Sequence, residues 1–270
     1  MTPIRRLAVC ADDYGQGAAV DRGILALAQQ GRITALSALV TPPRWVGAGA
    51  ALSDARIEGV LAGLHFNLTE GQPLSAELRR GWPRFPPLRA LIVQACSGRL
   101  SAALGAALSA EFQAQLQRFV DVTGRAPDFI DGHQHVHALP GVRPLVLAAA
   151  QSLGVPLRNT GRVRGPGFAF KRRVIEALGG RALEAQMRAR GMAMAPALIG
   201  VYDFSPRADY RALVRAWLHG APDGALLFCH PALGEPDAGD TIAAARQREM
   251  AYLAGPAFAA DLAEAGVSLG

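Results

Sequence analysis

The sequence predicts an α/β chain built on a parallel sheet, in the form of a (β/α) TIM-like barrel. Short apolar runs alternate with amphipathic stretches from end to end, the pattern of repeated βαβ units. Polar residues able to do chemistry stand at the C-terminal ends of several well-separated strands, where such a barrel keeps its active site. A chain of 270 residues, 50% of them hydrophobic, can bury one large core, so one domain over 1–270 is expected. No G-x-G-x-x-G follows the first strand, which argues against a dinucleotide fold.

The first strand is expected at 6–11, ending in Asp12 and Asp13. A helix follows at 18–30, with Val20, Ile24, Leu25, Leu27 and Ala28 on one side and Gly31 as its stop. A second strand at 33–40 is halted by Pro42 and Pro43, and a third lies at 59–68. The fourth is expected at 128–137, with a helix from Pro140 to about Ser152. Weaker strand signals sit at 155–158 and 197–202, and a clear one at 225–230. The last helical stretch, 242–265, contains Gly255-Pro256 and must kink or break there. Residues 267–269 suit a closing strand. Two connections, 70–111 and 162–196, are too long for plain loops and are expected to wall the substrate site.

Cys10, Cys96 and Cys229 have no paired short spacing, which argues against a disulfide framework or a zinc knuckle. The leading charged residues run into an apolar stretch too short for a signal peptide, and nothing approaches the ~18 apolar residues of a membrane span. A cytoplasmic, soluble protein is the expectation. Net charge is +6, concentrated at 158–190, where nine basic residues face only Glu176 and Glu184. Such a segment suits phosphate, an anionic membrane surface or an acidic substrate, or else is a solvated helix face. Without aromatic interleaving or a binding motif, nucleic acid is not expected as a partner.

Adjacent carboxylates after an apolar strand, as at Asp12 and Asp13, are costly unless they face solvent, a cation or a proton-transfer task. Both can reach one site only if the chain turns there, and Tyr14-Gly15 suits a turn. His65 interrupts an apolar strand, and Asn67 shares its parity. Asp131, His133, His135 and His137 recur every second residue, so on a strand all four share a face. Three histidines so placed point to a metal, although spacing does not say which of them binds. His230 ends the strand 225–230 before Pro231 and is placed to move a proton, while Cys229, of opposite parity, belongs to the packing layer.

In order and spacing, Ala11-Asp12-Asp13-Tyr14-Gly15, Gly63-Leu64-His65-Phe66-Asn67-Leu68-Thr69, Asp131-Gly132-His133-Gln134-His135-Val136-His137 and Cys229-His230-Pro231 resemble the signature blocks of the YdjC/ChbG-like carbohydrate deacetylases. The resemblance implies a distorted (β/α) barrel and one divalent metal ion, Mg2+ or Zn2+, held by Asp13, His65 and His133. It further implies Asp12 as general base and His230 as general acid. Tyr14 stands where Phe is usual and Gln134 where His is common, and neither touches a proposed ligand. The implied activity is removal of the N-acetyl group from a sugar, either a chitooligosaccharide or an N-acetylglucosamine-bearing glycolipid such as a hopanoid. Asn67, His135, His137 and Arg158 are further expected to meet the substrate. Contact with an anionic membrane or lipid-linked substrate, and a homodimer, are compatible with this picture. The rival expectations are a metal-dependent phosphoesterase on a similar barrel and a catalytically silent sugar-binding protein.

Overall fold

In the computed structural model, which describes residues 3–54, 57 and 59–270, seven parallel strands curl into an open barrel wrapped by helices. In chain order the elements are β1 (Arg5–Tyr14), α1 (Ala18–Gln29), β2 (Ala35–Ala38), α2 (Trp45–Asp54), β3 (Leu61–Phe66), α3 (Ala76–Gly81), α4 (Leu88–Cys96), α5 (Arg99–Thr123) and β4 (Ile130–Gly132). After a 3-10 turn at His133–Ala138 come α6 (Arg143–Leu153), α7 (Ala169–Ile175), a π turn at Glu176–Gly180, and α8 (Arg181–Ala189). Then follow β5 (Leu198–Ile199), α9 (Tyr210–Gly220), β6 (Ala225–Cys229), α10 (Ala243–Ala254), α11 (Pro256–Glu264) and β7 (Val267–Leu269). The sheet order is β4-β3-β2-β1-β6-β5, with β7 beside the opening residues of β1.

The expected barrel is therefore present, and its distortion has a local cause. Leu157 bridges Ile130 of β4, and Val163 bridges Leu198 of β5. One irregular stretch, 157–163, thus spans the gap between the two edges of the sheet. The weak strand expected at 155–158 is reduced to that single bridge. The long connection 162–196 is mostly helical, being α7, the π turn and α8, and the break expected at Gly255-Pro256 separates α10 from α11.

The fourth strand departs most from expectation, because it ends at Gly132 and not at residue 137. Gln134 and His135 take left-handed backbone angles, φ 52° and 62°, so the chain coils back on itself. A side chain at Gly132 would lie 2.8 Å from the backbone nitrogen of His137, a close approach that only glycine permits. The three histidines consequently do not share one strand face.

Strand alternation sorts the interior. Leu7, Val9 and Ala11 of β1 and Leu227 and Cys229 of β6 join the core under the helices, as expected for Cys229. Cys10 and Asp12 point into the barrel, where both meet Arg158. Helix α1 begins at Gly17, which has no side chain to cap it. Asp237 supplies the cap from a distant loop, accepting from the Ala18 and Ala19 amides at 2.8 and 2.9 Å.

At the opposite end, Asp261 of α11 accepts from Arg211 (2.9 and 3.0 Å) and Arg215 (2.9 Å) of α9 and from the Tyr252 hydroxyl (3.0 Å). Arg211 first, then Tyr252 and Arg215, hold its carboxyl at about 2. With the folded value below the unfolded one, this stabilisation is present above about pH 4 and fades as pH falls toward about 2. Both arginines are half exposed, so screening reduces it to about 1 kcal/mol. Urea unfolding of wild type and Asp261→Asn should differ by about that much at pH 7. Near pH 2.5 the gap, about 1 kcal/mol at neutrality, should largely close; an undiminished gap there would show that the carboxylate charge is not the source.

Candidate metal centre and catalytic cavity

Asp13 itself makes the turn that brings both opening carboxylates to the same site. Its φ is 75°, a conformation Asp tolerates better than most residues, and the β1–β2 register shifts between Ala11 and Tyr14. The turn falls one residue before the Tyr14-Gly15 expected to supply it, and Tyr14 still pairs with Ala38 of β2.

Around Asp13 the ends of three strands converge. One carboxylate oxygen, Oδ1, lies 2.9 Å from His133 Nδ1 and 3.4 Å from His65 Nε2. The three residues are buried, and their donor atoms lie within 4.8 Å of one another. Atoms bound to one ion at ~2.0–2.2 Å stand roughly 2.9–3.6 Å apart, so the spacing to Asp13 fits a shared cation. Each imidazole is also backed by a carboxylate. Asp131 Oδ1 lies 2.6 Å from His65 Nδ1, and Ser37 donates to the same oxygen at 2.5 Å. Glu70 Oε1 stands 3.0 Å from His133 Nε2, though out of line for a hydrogen bond. For His65 such backing fixes which ring nitrogen faces the centre.

The electrostatics agree with a cation seat. Burial opposes the charge on Asp13, yet Arg246, His133 and His65 hold its carboxyl well below the usual range. Burial likewise disfavours charge on the two rings, but Asp131, Asp12 and Asp13 raise His65 to about 10, and Asp13 and Glu70 raise His133 to about 9. A field that keeps protons on two buried imidazoles attracts divalent cations for the same reason.

A second acidic group, Cys10, Asp12 and Asp131, also has the spacing of a metal site. Arg158 already fills it. Its guanidinium grips both oxygens of Asp12 at 2.6 Å, lies 2.5 Å from Asp131 Oδ2 and reaches Cys10 Sγ at 3.1 Å. His230 lies beyond, edge-on to Phe204 and Phe228, with its backbone amide donating to Glu249 Oε2 at 2.6 Å. Burial lowers His230 to about 4 and raises Glu249 to about 7.

Asp12, Asp13, His65, His133, His135 and His230 all line one cavity of about 550 Å³. Asn67, His137 and Arg158 are not among its lining residues. The Asn67 amide ties Thr41, Thr69 and Glu70 together, while His137 Nε2 donates to the Arg158 carbonyl at 3.0 Å. His135 packs edge-on to Phe228, and burial holds it well below the usual histidine range. Both long connections wall the cavity, one through Glu70, Leu88 and Ile92, the other through Lys171, Val174 and Leu178. The basic segment, by contrast, is not one patch. Arg158 is buried, Arg162 and Arg188 pair with Glu184, and Arg181 pairs with Glu176.

Sequence reasoning passed over Arg246, whose NH2 donates to Asp13 Oδ2 at 2.7 Å and to Gln16 at 2.6 Å. It also passed over Glu249, Glu70 and Ser37. The signal for the first two was present: Arg246 and Glu249 fall on the buried stripe of α10 with Met250 and Leu253, where charge is costly without a partner.

A family model for YdjC-like proteins matches residues 6–264. A carbohydrate deacetylase of Mus musculus is 36% identical over 168 residues, 61% of this chain and 53% of that protein. A chitooligosaccharide deacetylase of Serratia marcescens is 37% identical over 155 residues, 56% of this chain and 58% of that one. The chain thus spans little more than half the length of these relatives. Among solved structures, an Enterococcus faecalis protein assigned provisionally to cellobiose-phosphate cleavage shares the fold, with a TM-score of 0.73 at 21% identity over 98% of this chain and 97% of that one. The strand-end carboxylates and histidines, the curled parallel sheet and a family match from the first strand into the last helix lead to one conclusion: the chain belongs to the YdjC-like protein family.

Proposed function

We propose that this chain, as one catalytic domain over 1–270, is a metal-dependent hydrolase that removes the acetyl group from an N-acetylated sugar. The observation that carries the reading is the buried cluster of Asp13, His65 and His133 beside Asp12 and His230 on the wall of one cavity. The names of its relatives support the same substrate class.

Asp13, His65 and His133 would hold one divalent ion, and one carboxylate with two imidazoles suits Zn2+ more closely than Mg2+. Such an ion, when bound, polarises an amide carbonyl and eases loss of a proton from water. Asp12 takes up the proton of the attacking water. Arg158 fixes the carboxylate from behind through both oxygens and keeps it at the edge of the cavity. His230 protonates the departing nitrogen, since an amine anion is a very poor leaving group. Burial lowers His230 to about 4, so the proton it delivers is the one that Asp12 takes from the attacking water, handed on within the cavity that both residues line.

Away from these residues the lining mixes the aliphatic side chains of Leu88, Ile92, Val174 and Leu178 with Lys171, Tyr202, Asp240 and Thr241. The aliphatic part suits an acetamido sugar bearing an apolar group, such as a hopanoid glycolipid, and the polar part suits the hydroxyls of a chitooligosaccharide. A phosphoesterase using two metals would need a second cation seat, and among the described residues the other cluster with that spacing is filled by Arg158.

Two outcomes test this reading. Replacing His65 or His133 with Ala should lower bound metal, measured by elemental analysis, together with acetate release from N-acetyl sugars; full occupancy in both variants would rule out the ligand set. Asp12→Asn should keep the fold and the metal while acetate release falls by ~10²- to 10⁴-fold. Metal loss in that variant would exchange the roles of the two aspartates. If the wild type binds N-acetyl sugars but releases acetate from none, the sugar-binding alternative holds.

A further inference from the structure

Two helices that contribute to the cavity wall, α4 and α7, also carry exposed apolar side chains. Phe170 of α7 is 83% exposed and Val93 of α4 is 65% exposed, the most exposed large hydrophobic residues of the two helices. Phe170 stands one helical turn before Val174, which lines the cavity, and Val93 follows Ile92, which also lines it. Each has an exposed arginine on its own helix face: Arg173 three residues after Phe170, and Arg89 four residues before Val93. Neither arginine has an acidic partner among the described residues. Lys171 is different, since its Nζ donates to the Tyr202 carbonyl at 2.6 Å and lies 4.8 Å from the Phe204 ring centroid.

Isolated exposed hydrophobic residues are ordinary, and an arginine on a helix surface is too. Here apolar tip and cation recur as a pair on two separate helices that both line one cavity, and each of those helices also turns aliphatic side chains into it. A water-soluble ligand gives no reason for that arrangement. The headgroup boundary of an anionic bilayer matches it, because that boundary accepts an apolar tip within a few ångströms of negative charge.

We propose that α4 and α7 dock on an anionic phospholipid surface, with Phe170 and Val93 entering the headgroup boundary and Arg89 and Arg173 meeting the lipid phosphates. The cavity mouth then faces the bilayer. Delivery of an N-acetyl glycolipid through that mouth rests on the deacetylase reading, whereas the docking itself does not. The contact is peripheral: among the described residues no helix is long and apolar enough to cross a membrane.

Sedimentation with sugar-free vesicles separates the two questions. The wild-type chain should pellet with vesicles of phosphatidylcholine mixed equally with phosphatidylglycerol, more weakly with phosphatidylcholine alone, and less as salt rises. Phe170→Ser should weaken binding to the mixed vesicles about tenfold or more. Arg89→Glu and Arg173→Glu should each weaken it by at least about fivefold. All three variants should retain metal content and turnover of a short, water-soluble N-acetyl sugar. Wild type that stays in solution with every vesicle would overturn the docking, as would a Phe170→Ser variant that pellets like wild type. Self-association in lipid-free buffer that Phe170→Ser abolishes would also overturn it, assigning the face to a second copy of the chain. Docking without activity on any sugar would leave the surface assigned and remove the deacetylase reading.

Discussion

A single buried guanidinium ties the site to the fold. Arg158 belongs to the stretch that closes the gap between the sheet edges, and its amide donates to the Ile130 carbonyl at 3.0 Å. From there it joins Asp12 at the end of β1 to Asp131 at the end of β4. It bridges two carboxylates that offer oxygens within 4.8 Å of one another in the interior. In turn the cation is tolerable only because both surround it: breaking a buried pair by removing one partner commonly costs about 3–5 kcal/mol. The other oxygen of Asp131 orients His65, so the order runs from barrel closure through Arg158 and Asp131 to the imidazole that faces Asp13. Cavity shape and donor geometry therefore depend on one another.

Asp13 is held in a comparable way from the opposite flank. Arg246 takes one of its oxygens and leaves the other to the two imidazoles, so the carboxylate has one oxygen committed to the protein and one facing the candidate cation seat. Gln16 continues the link from Arg246 to Glu70, which stands beside His133. Positive and negative groups alternate through this network, and few buried charges lack an opposite neighbour. Such an arrangement keeps charged side chains rigid in a low-dielectric interior, where an uncompensated charge would shift its pKa or draw in water.

The cavity is polar and titratable where the strand ends meet, and more apolar where α4 and α7 form its walls, with Lys171 the charged exception. On the proposed reading the acetamide enters the polar part and the remainder of the substrate rests on the apolar part. The division follows from the barrel. Strand ends hold the chemistry at fixed positions, whereas the helices of the two long connections are free to differ in composition without disturbing it.

The alternation of strands and helices, the strand-end positions of Asp12, Asp13, His65 and His230, and the packing role of Cys229 were all legible in the chain, because burial enforces a period of two in strands and of 3.6 in helices. The same rule misled at 128–137, where histidines at every second position imitate a strand face. Close approach at Gly132 and two left-handed residues turn that segment into a coil, which places His133 on Asp13 while His137 holds the Arg158 carbonyl. Periodicity could not reveal this, since the coil is set by contacts between residues distant in sequence. The partners of the candidate site lay out of reach for the same reason. Arg158 was expected to meet the substrate, and Arg246 and Glu249 were legible as charges on the buried stripe of α10, but the groups they pair with are set only when the closed sheet brings their segments against β1 and β6. Local pattern determined which residues carry chemistry; which of them meet was decided by the closure of the barrel, because charge pairs across 100 residues or more exist only in the folded chain.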